Sequence, residues 1–376
     1  MVDTLGRACG QLLSVGFEGT AAPVELLGRI GRSEVGGAIL FRPNVESPPQ
    51  VAALVRALRG AAASSASSGP PLVVSVDQEG GLVQRLRRPL TEWPEMLAVG
   101  DAGDPGRSEA VGRAVGDELR ALGIGWDLAP VLDVHTNPGN PVIGNRAFGR
   151  TPEAVTTHAL AFWRGLRAAG VLGCGKHFPG HGDTATDSHH ELPVVGHPLE
   201  RLRAVELAPF AAAVRAGAEA LMTAHVMLPA LDPALPATLS RPVLGGLLRG
   251  ELGFRGLIVS DDLGMSAVAD RWSIEEIVVE GLMAGVDHFL IREPAARQVA
   301  AWEALLRSAE RRPEVRARVE ESAARVAAFK ALSLVPFPLA DGPLAAALGT
   351  PAHLALAASF RRGAQSAVAE SPVAES

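Results

Sequence analysis

Eight short apolar runs punctuate the chain, and most are followed by a longer segment with helical spacing. The runs are LLSVGF 12–17, GGAILF 36–41, PLVVSV 71–76, GWDLAPVLD 125–133, VLGCGKHF 171–178, ALMTAHV 220–226, GLIVSDD 256–262 and VDHFLI 286–291. Each is apolar on both faces and bounded by glycine or polar residues, which is how a parallel strand covered by helices on both sides reads. Candidate helices span Pro105–Ala121, Pro152–Ala169, Leu199–Ala216, Arg241–Leu252 and Ile274–Ala284. Several open near a proline and close at Gly123, Gly170, Gly217, Gly253 or Gly285, as helix ends prefer. Eight such alternations predict an α/β chain folded as one closed (β/α)8 barrel of the TIM type. A doubly wound sheet would instead carry a glycine-rich phosphate turn after its first strand, and GFEGT is not that fingerprint. The expected barrel occupies residues 1–335. The Pro- and Ala-rich stretch 336–376 is expected to be an extension that ends in a disordered tail, AQSAVAESPVAES.

Composition narrows the function. Hydrophobic residues make up 47% of the 376 residues and charged ones 20%, enough to build a large core. A formal charge of −6 argues against a nucleic-acid partner or an anionic membrane. No run of eighteen apolar residues is present, and MVDTLGRACGQLLSVGFEGT lacks a basic region followed by a long apolar stretch. Cys9 and Cys174 are the only cysteines, too few for a disulfide framework or a cysteine zinc site. The expectation is a cytoplasmic monomer with no nucleic-acid or membrane partner.

In a barrel of this kind the working residues sit at the carboxyl ends of the strands. The third run leads to Asp77, Gln78, Glu79 and Arg85; the fourth to Asp133, His135, Asn145 and Arg146. The fifth enters KHFPGHGDTATDSHHELP, residues 176–193, which holds four of the ten histidines; the sixth ends at His225 and the seventh at Asp261 and Asp262. For Asp77 and Asp261 a purely structural role is the weaker reading, because each follows an apolar run where an unpaired carboxylate is costly. Asp133 reads equally well as a turn acceptor, and Asp262 as the N-cap of a helix over LGMSAV.

Three chemistries compete for the 176–193 motif. His181, Asp183, Asp187, His189 and His190 are metal-ligand types, but their spacing matches no helical pair of histidines. Gly180 and Gly182 near Lys176 suggest a phosphate cradle, without the order of a P-loop. Acid/base work on a neutral, hydroxyl-rich substrate accounts for the motif best. Lys176, Arg85 and Arg146 would supply donors without redundant anions, and Asp77 would accept two hydroxyls. Asp187 would pair with His189 across a turn, fixing its tautomer, while Asp261 on a rigid strand end serves as nucleophile. No metal or cofactor is expected.

KHFPGHGDTATDSHHELP, VDQEGGLVQR, MTAHVMLPALD and ELGFRGLIVSDDLGM together resemble glycoside hydrolase family 3, and within it the single-domain bacterial β-N-acetylhexosaminidases. The resemblance runs from about residue 10 to about residue 330. It implies retaining hydrolysis of terminal β-linked N-acetylglucosamine from peptidoglycan-derived fragments. Asp261 would be the nucleophile, His189 the general acid/base and Asp187 its partner. Asp77, Arg85, Arg146, Lys176 and His177 would hold the sugar. Imidazole would thus replace the second carboxylate that most retaining enzymes use. The chain departs from the family pattern at Leu82, where arginine is usual, and in strand eight, where His288, Arg292 and Glu293 stand. Phosphorolysis by the same residues, a broader family 3 β-glycosidase, a metal-dependent barrel hydrolase and a non-catalytic sugar binder are the competing functions. With five Trp, eleven Phe and no Tyr, stacking platforms are few, which points to one dominant sugar subsite.

Overall fold

A computed structural model describes residues 4–63, 71–186, 192–292, 294–333 and 335–369, the last nine by backbone alone. Each of the eight apolar runs contributes a strand: β1 Leu13–Val15, β2 Gly37–Leu40, β3 Val73–Val76, β4 Trp126–Asp127, β5 Gly175–Phe178, β6 Ala220–Thr223, β7 Leu257–Asp262 and β8 His288–Ile291. They form one curled sheet in the order β4-β3-β2-β1-β8-β7-β6-β5, with every ladder parallel. Its two ends meet through bridges Trp126–Leu172 and Val131–Lys176. There Cys174 N donates to the Ala129 carbonyl at 2.8 Å and Lys176 N to the Pro130 carbonyl at 3.1 Å, so the sheet comes round on itself.

The interior is packed, not hollow. Ile39, Val73, Leu128, Leu172, Cys174, Met222, Val259 and Leu290 fill it from the strands, and Trp126 meets Phe329 edge-on at 4.8 Å. Phe329 belongs to the helix Pro313–Ala331, which therefore plugs the end of the barrel opposite the strand carboxyl ends. His288, one of the family departures, is buried in the interior. Its ring bonds Ser14 Oγ at 2.7 Å and the Gln11 carbonyl at 3.1 Å, and burial pushes its pKa down to about 3. It is a neutral core histidine.

The helices follow their sequence signals closely. Pro105–Ala121 is capped by Asp104, Pro152–Ala168 by Thr151, and Ile274–Ala284 by a Ser273/Glu276 capping box. Two expectations need correction. Leu199–Ala216 is two helices, Leu199–Ala204 and Ala208–Arg215, parted where the Glu206 carboxylate turns inward and accepts from Arg201 at 3.1 Å. The segment read as an α-helix over Arg241–Leu252 is a π-helix, Pro242–Glu251. Its sequence PVLGGLLRGE carries three glycines, whose permissive backbone tolerates the wider turn.

Beyond the barrel, Asp341–Ala347 and Pro351–Ala369 are helical, the second entering the stretch read as a tail, and residues 370–376 lie outside the described ones. Asp341–Phe360 is the one stretch among the described residues long and apolar enough, by length and composition, to cross a membrane. Here it is broken near Gly349, and Leu344, Leu348, Ala357 and Phe360 join the main core. Gly349 N and His353 Nδ1 both reach Glu118 Oε1, at 2.9 and 3.1 Å. That buried carboxylate also accepts from Thr91 N and Thr91 Oγ1, which lie in the segment following β3.

Candidate active site

The carboxyl ends of the strands surround a cavity of about 290 Å3, at the small end for ligand pockets. Asp77, Arg85, Arg146, Lys176, His177 and Asp261 all line it. Asp187 and His189 fall in 187–191, outside the described residues.

Two side-chain clamps position Arg85. After β3 the chain makes a small hairpin, Gln78–Gly80 with Val83–Gln84. The Gln78 side chain grips both backbone groups of Leu86: Leu86 N donates to its Oε1 at 3.0 Å and its Nε2 donates to Leu86 O at 2.8 Å. Gln84 Nε2 donates onward to the Thr91 carbonyl at 2.6 Å. Gly80 takes φ +110, and a Cβ there would stand 2.6 Å from Met96 Cε. Leu82 lies at the tip of this hairpin, 78% exposed, and does not line the main cavity.

Beneath the cavity runs a row of alternating charges. Lys176 Nζ donates to Asp77 Oδ1 at 2.7 Å and pairs with Glu79 Oε1 at 2.6 Å. Arg146 grips Glu79 with Nε at 2.9 Å and Nη2 at 2.8 Å, a bidentate pair. Arg85 reaches the other Asp77 oxygen at 3.3 Å. The three cations were expected to serve without redundant anions; instead each is engaged by a carboxylate, because cations this deep cannot be left unpaired. Burial alone would raise the pKa values of Asp77 and Glu79, but Lys176, Arg85 and Arg146 outweigh it and hold both below the ordinary carboxylate range. Burial likewise opposes the charge on Lys176, yet Asp77 and Glu79 hold its pKa above the usual lysine value. The row is therefore permanently ionised.

His177 continues it. Its Nε2 lies 3.4 Å from Arg146 Nη2, and its Nδ1 is 2.7 Å from Asp133 Oδ2. Asp133, fully buried, also accepts from His177 N and, at 2.7 Å, from His181 N. The turn-acceptor reading of Asp133 understated it: this carboxylate joins the loop after β4 to the start of the 176–193 motif. Gly182 fits there because a Cβ would stand 1.9 Å from the Val134 carbonyl. Asp183 in turn bonds Thr136 Oγ1 at 2.7 Å and the His197 ring.

Asp261 closes the far side of the cavity. Its Oδ1 accepts from Asp262 N at 2.8 Å, leaving Oδ2 without a protein donor among the described residues. Asp262 is not a helix cap, since the next helix starts at Ser266 after Met265. Its Oδ1 accepts instead from Gly264 N and from Arg292 N, both at 3.0 Å, tying the β7 end to the β8 end. His225 Nε2 lies 3.1 Å from the Asp262 carbonyl and braces the same turn. Arg292 lines the cavity, with its guanidinium 4.8 Å from the Phe41 ring centroid. Apart from imidazoles, Phe41 is the one aromatic lining residue among the described residues.

Asp127 went unremarked in the sequence and lies under this row. It is fully buried; Oδ1 accepts from Gln78 N at 3.0 Å and Oδ2 has no partner among the described residues. Burial pushes its pKa well above the usual value of 3.8. The unfolded chain therefore releases this proton at lower pH than the folded one, so stability falls as pH rises from about 4 toward the folded value. Asp127→Asn is expected to remove a slope of up to about 1.4 kcal/mol per pH unit from urea-unfolding free energies measured between pH 5 and 8. An unchanged slope would place the titrating group elsewhere.

The arrangement offers fixed hydrogen-bond acceptors and donors on one side, a carboxylate with one oxygen undonated among the described residues on the other, and little stacking surface. Among the described residues no group of three or more His, Cys, Asp or Glu is disposed to hold a metal ion. Residues 4–329 match the Glycosyl hydrolase family 3 N terminal domain. Beta-hexosaminidase A of Pseudoalteromonas piscicida is 41% identical over 285 residues, 71% of this chain but 47% of that protein, so the chain spans about half the length of this relative. The family 3 β-N-acetylglucosaminidase of Paenibacillus sp. FPU-7 superposes with a TM-score of 0.90 at 43% identity, covering 95% of this chain and 68% of that one. NagZ of Neisseria gonorrhoeae, solved with N-trifluoroacetyl-D-glucosamine, gives 0.73 at 32% identity, with 93% and 97% covered.

Proposed function

The chain belongs to glycoside hydrolase family 3, and from that premise we propose that it is a retaining β-hexosaminidase that removes terminal, non-reducing β-linked N-acetylglucosamine. The observation that carries this reading is Asp261, with one carboxylate oxygen undonated among the described residues, across a 290 Å3 cavity from the Asp77–Lys176–Glu79–Arg146 row. Asp77 and Lys176 hold the hydroxyls of the sugar, with Arg85, Arg146 and His177 completing the subsite. Asp261 attacks the anomeric carbon and the glycosidic bond breaks. His189, oriented by Asp187, protonates the departing oxygen; the same imidazole then takes a proton from the water that releases the sugar. The acid/base roles rest on the motif 176–193. Supporting them, the described part of that motif is anchored at the cavity by Asp133 and Asp183.

The substrates on this reading are peptidoglycan-derived fragments in the cytoplasm. Cys9 and Cys174, buried and not joined in a disulfide, suit a reducing compartment. The expected result is hydrolysis of 4-nitrophenyl β-N-acetylglucosaminide at least about a hundredfold faster than the matching β-glucoside, a difference of roughly 2.7 kcal/mol in transition-state binding. Turnover of the glucoside alone would reject the specificity. Sugar 1-phosphate forming when phosphate is added would identify phosphate, not water, as acceptor.

A further inference from the structure

The 176–193 motif sets out along one arm, 180–184, and the chain returns along another, 193–197. The two arms rest on different parts of the barrel. The outgoing arm lies on the loop after β4: Asn140 Nδ2 donates to the His181 and Thr184 carbonyls at 2.8 and 3.0 Å, and Asn137 Nδ2 to the Thr184 carbonyl at 3.2 Å. The returning arm lies on the segment after β6: Met227 N donates to the Pro193 carbonyl at 2.8 Å, and Val195 N to the Met227 carbonyl at 2.9 Å. A side-chain bond then crosses from arm to arm, between Asp183 Oδ2 and His197 Nε2. The other Asp183 oxygen accepts from Thr136 Oγ1 at 2.7 Å, so both carboxylate oxygens are engaged. Burial alone would raise the Asp183 pKa, but the bonds from Thr136 and His197 outweigh it and hold it below the ordinary carboxylate range. Asp183 therefore accepts, and His197 Nε2 donates.

We propose that the Asp183–His197 pair positions the general acid/base: it fixes the spacing of the two arms that carry Asp187 and His189 between them. This rests on the glycosidase reading above, and in particular on the proton-transfer role of His189. In sequence Asp187 and His189 stand four and six residues beyond Asp183. Four residues of chain reach at most about 14 Å, so the place of Asp183 limits the place of the dyad. The pair itself touches neither the sugar row nor Asp261, and its effect falls on proton transfer alone. Its contribution to global stability is small: the His197 and Asp183 side chains are 30% and 26% exposed, and such pairs are worth about 1 kcal/mol or less. His197 and Asp183 are positioning residues and take no part in bond breaking.

The test compares two aryl β-N-acetylglucosaminides that differ in how much help the departing oxygen needs. A 2,4-dinitrophenolate leaves without a proton, whereas a 4-methylphenolate leaves poorly unless an acid supplies one. The measured quantity is kcat/KM, which covers the steps through departure of the phenol. His197→Ala is expected to lower it about a hundredfold on the 4-methylphenyl glycoside, the cost of a general acid misplaced by an ångström, and less than about threefold on the other. His197→Gln, whose amide N–H falls near the place of Nε2–H, is expected to recover most of that loss. Because the readout is a ratio between substrates, the folded fraction of each variant cancels. A ratio unchanged in His197→Ala, whether both rates fall or neither does, would make the pair a fold contact alone and overturn the proposal. So would His197→Gln behaving like His197→Ala, since the ring's packing and not its hydrogen bond would then matter. If His189→Ala shows the split and His197→Ala does not, only this inference falls. If His189→Ala loses both substrates alike, the acid/base reading falls and takes this one with it.

Discussion

Asp261→Ala is expected to lower kcat on 4-nitrophenyl β-N-acetylglucosaminide by roughly a millionfold, the scale seen when a catalytic unit loses its nucleophile, the role proposed for Asp261. The folded state should barely notice. Among the described residues the side chain accepts one local hydrogen bond, from its own neighbour Asp262, and it is only partly buried. Unfolding free energy in urea should therefore stay within about 0.5 kcal/mol of wild type. Added azide, a small nucleophile able to occupy the vacated space, should restore turnover and give the α-configured sugar azide. Azide would then be attacking the face that the proposed mechanism assigns to the carboxylate. Residual activity within tenfold of wild type would show that another group attacks.

The second large effect lies at Glu79, where a single side chain neutralises two buried cations. Glu79→Gln keeps the shape but removes the charge shared by Arg146 and Lys176, and it turns an NH2 group toward one of those donors. Breaking a buried pair from one side costs about 3–5 kcal/mol. Displacement of Lys176 and Arg146 by even an ångström would lower kcat/KM about a hundredfold or more. The pH dependence follows from the direction of the shift. Glu79 has a folded pKa below its unfolded value near 4.5, so its contribution is complete above that value and is lost only as pH falls through the lower folded one. Urea unfolding at pH 6 and pH 8 should thus show the same deficit in the variant. A deficit under about 1 kcal/mol would mean that Asp77 alone satisfies the row.

The architecture was legible because it depends on local pattern. All eight runs became strands, since a strand buried on both faces must be apolar along its length, and Pro105–Ala121 and Ile274–Ala284 announced their own ends. The split at Glu206 was not legible, because an inward carboxylate matched to Arg201 looks like any polar helical position. The site divides in the same way. Asp77 and Asp261 stood out as carboxylates closing apolar runs. Glu79 was in plain view two residues after Asp77, on the same side of an extended chain, and that period-two spacing was the available signal. Asp133 and Asp127 act on partners 44 to 49 residues away, and no local spacing encodes such contacts.

The segment that follows the barrel is more than ballast. Through Gly349 and His353 it grips the Glu118 carboxylate, which holds Thr91, and Thr91 is tied through Gln84 to the strip carrying Arg85. Removing that segment would therefore loosen one wall of the cavity from behind, much as drawing a rivet slackens every plate it passes through.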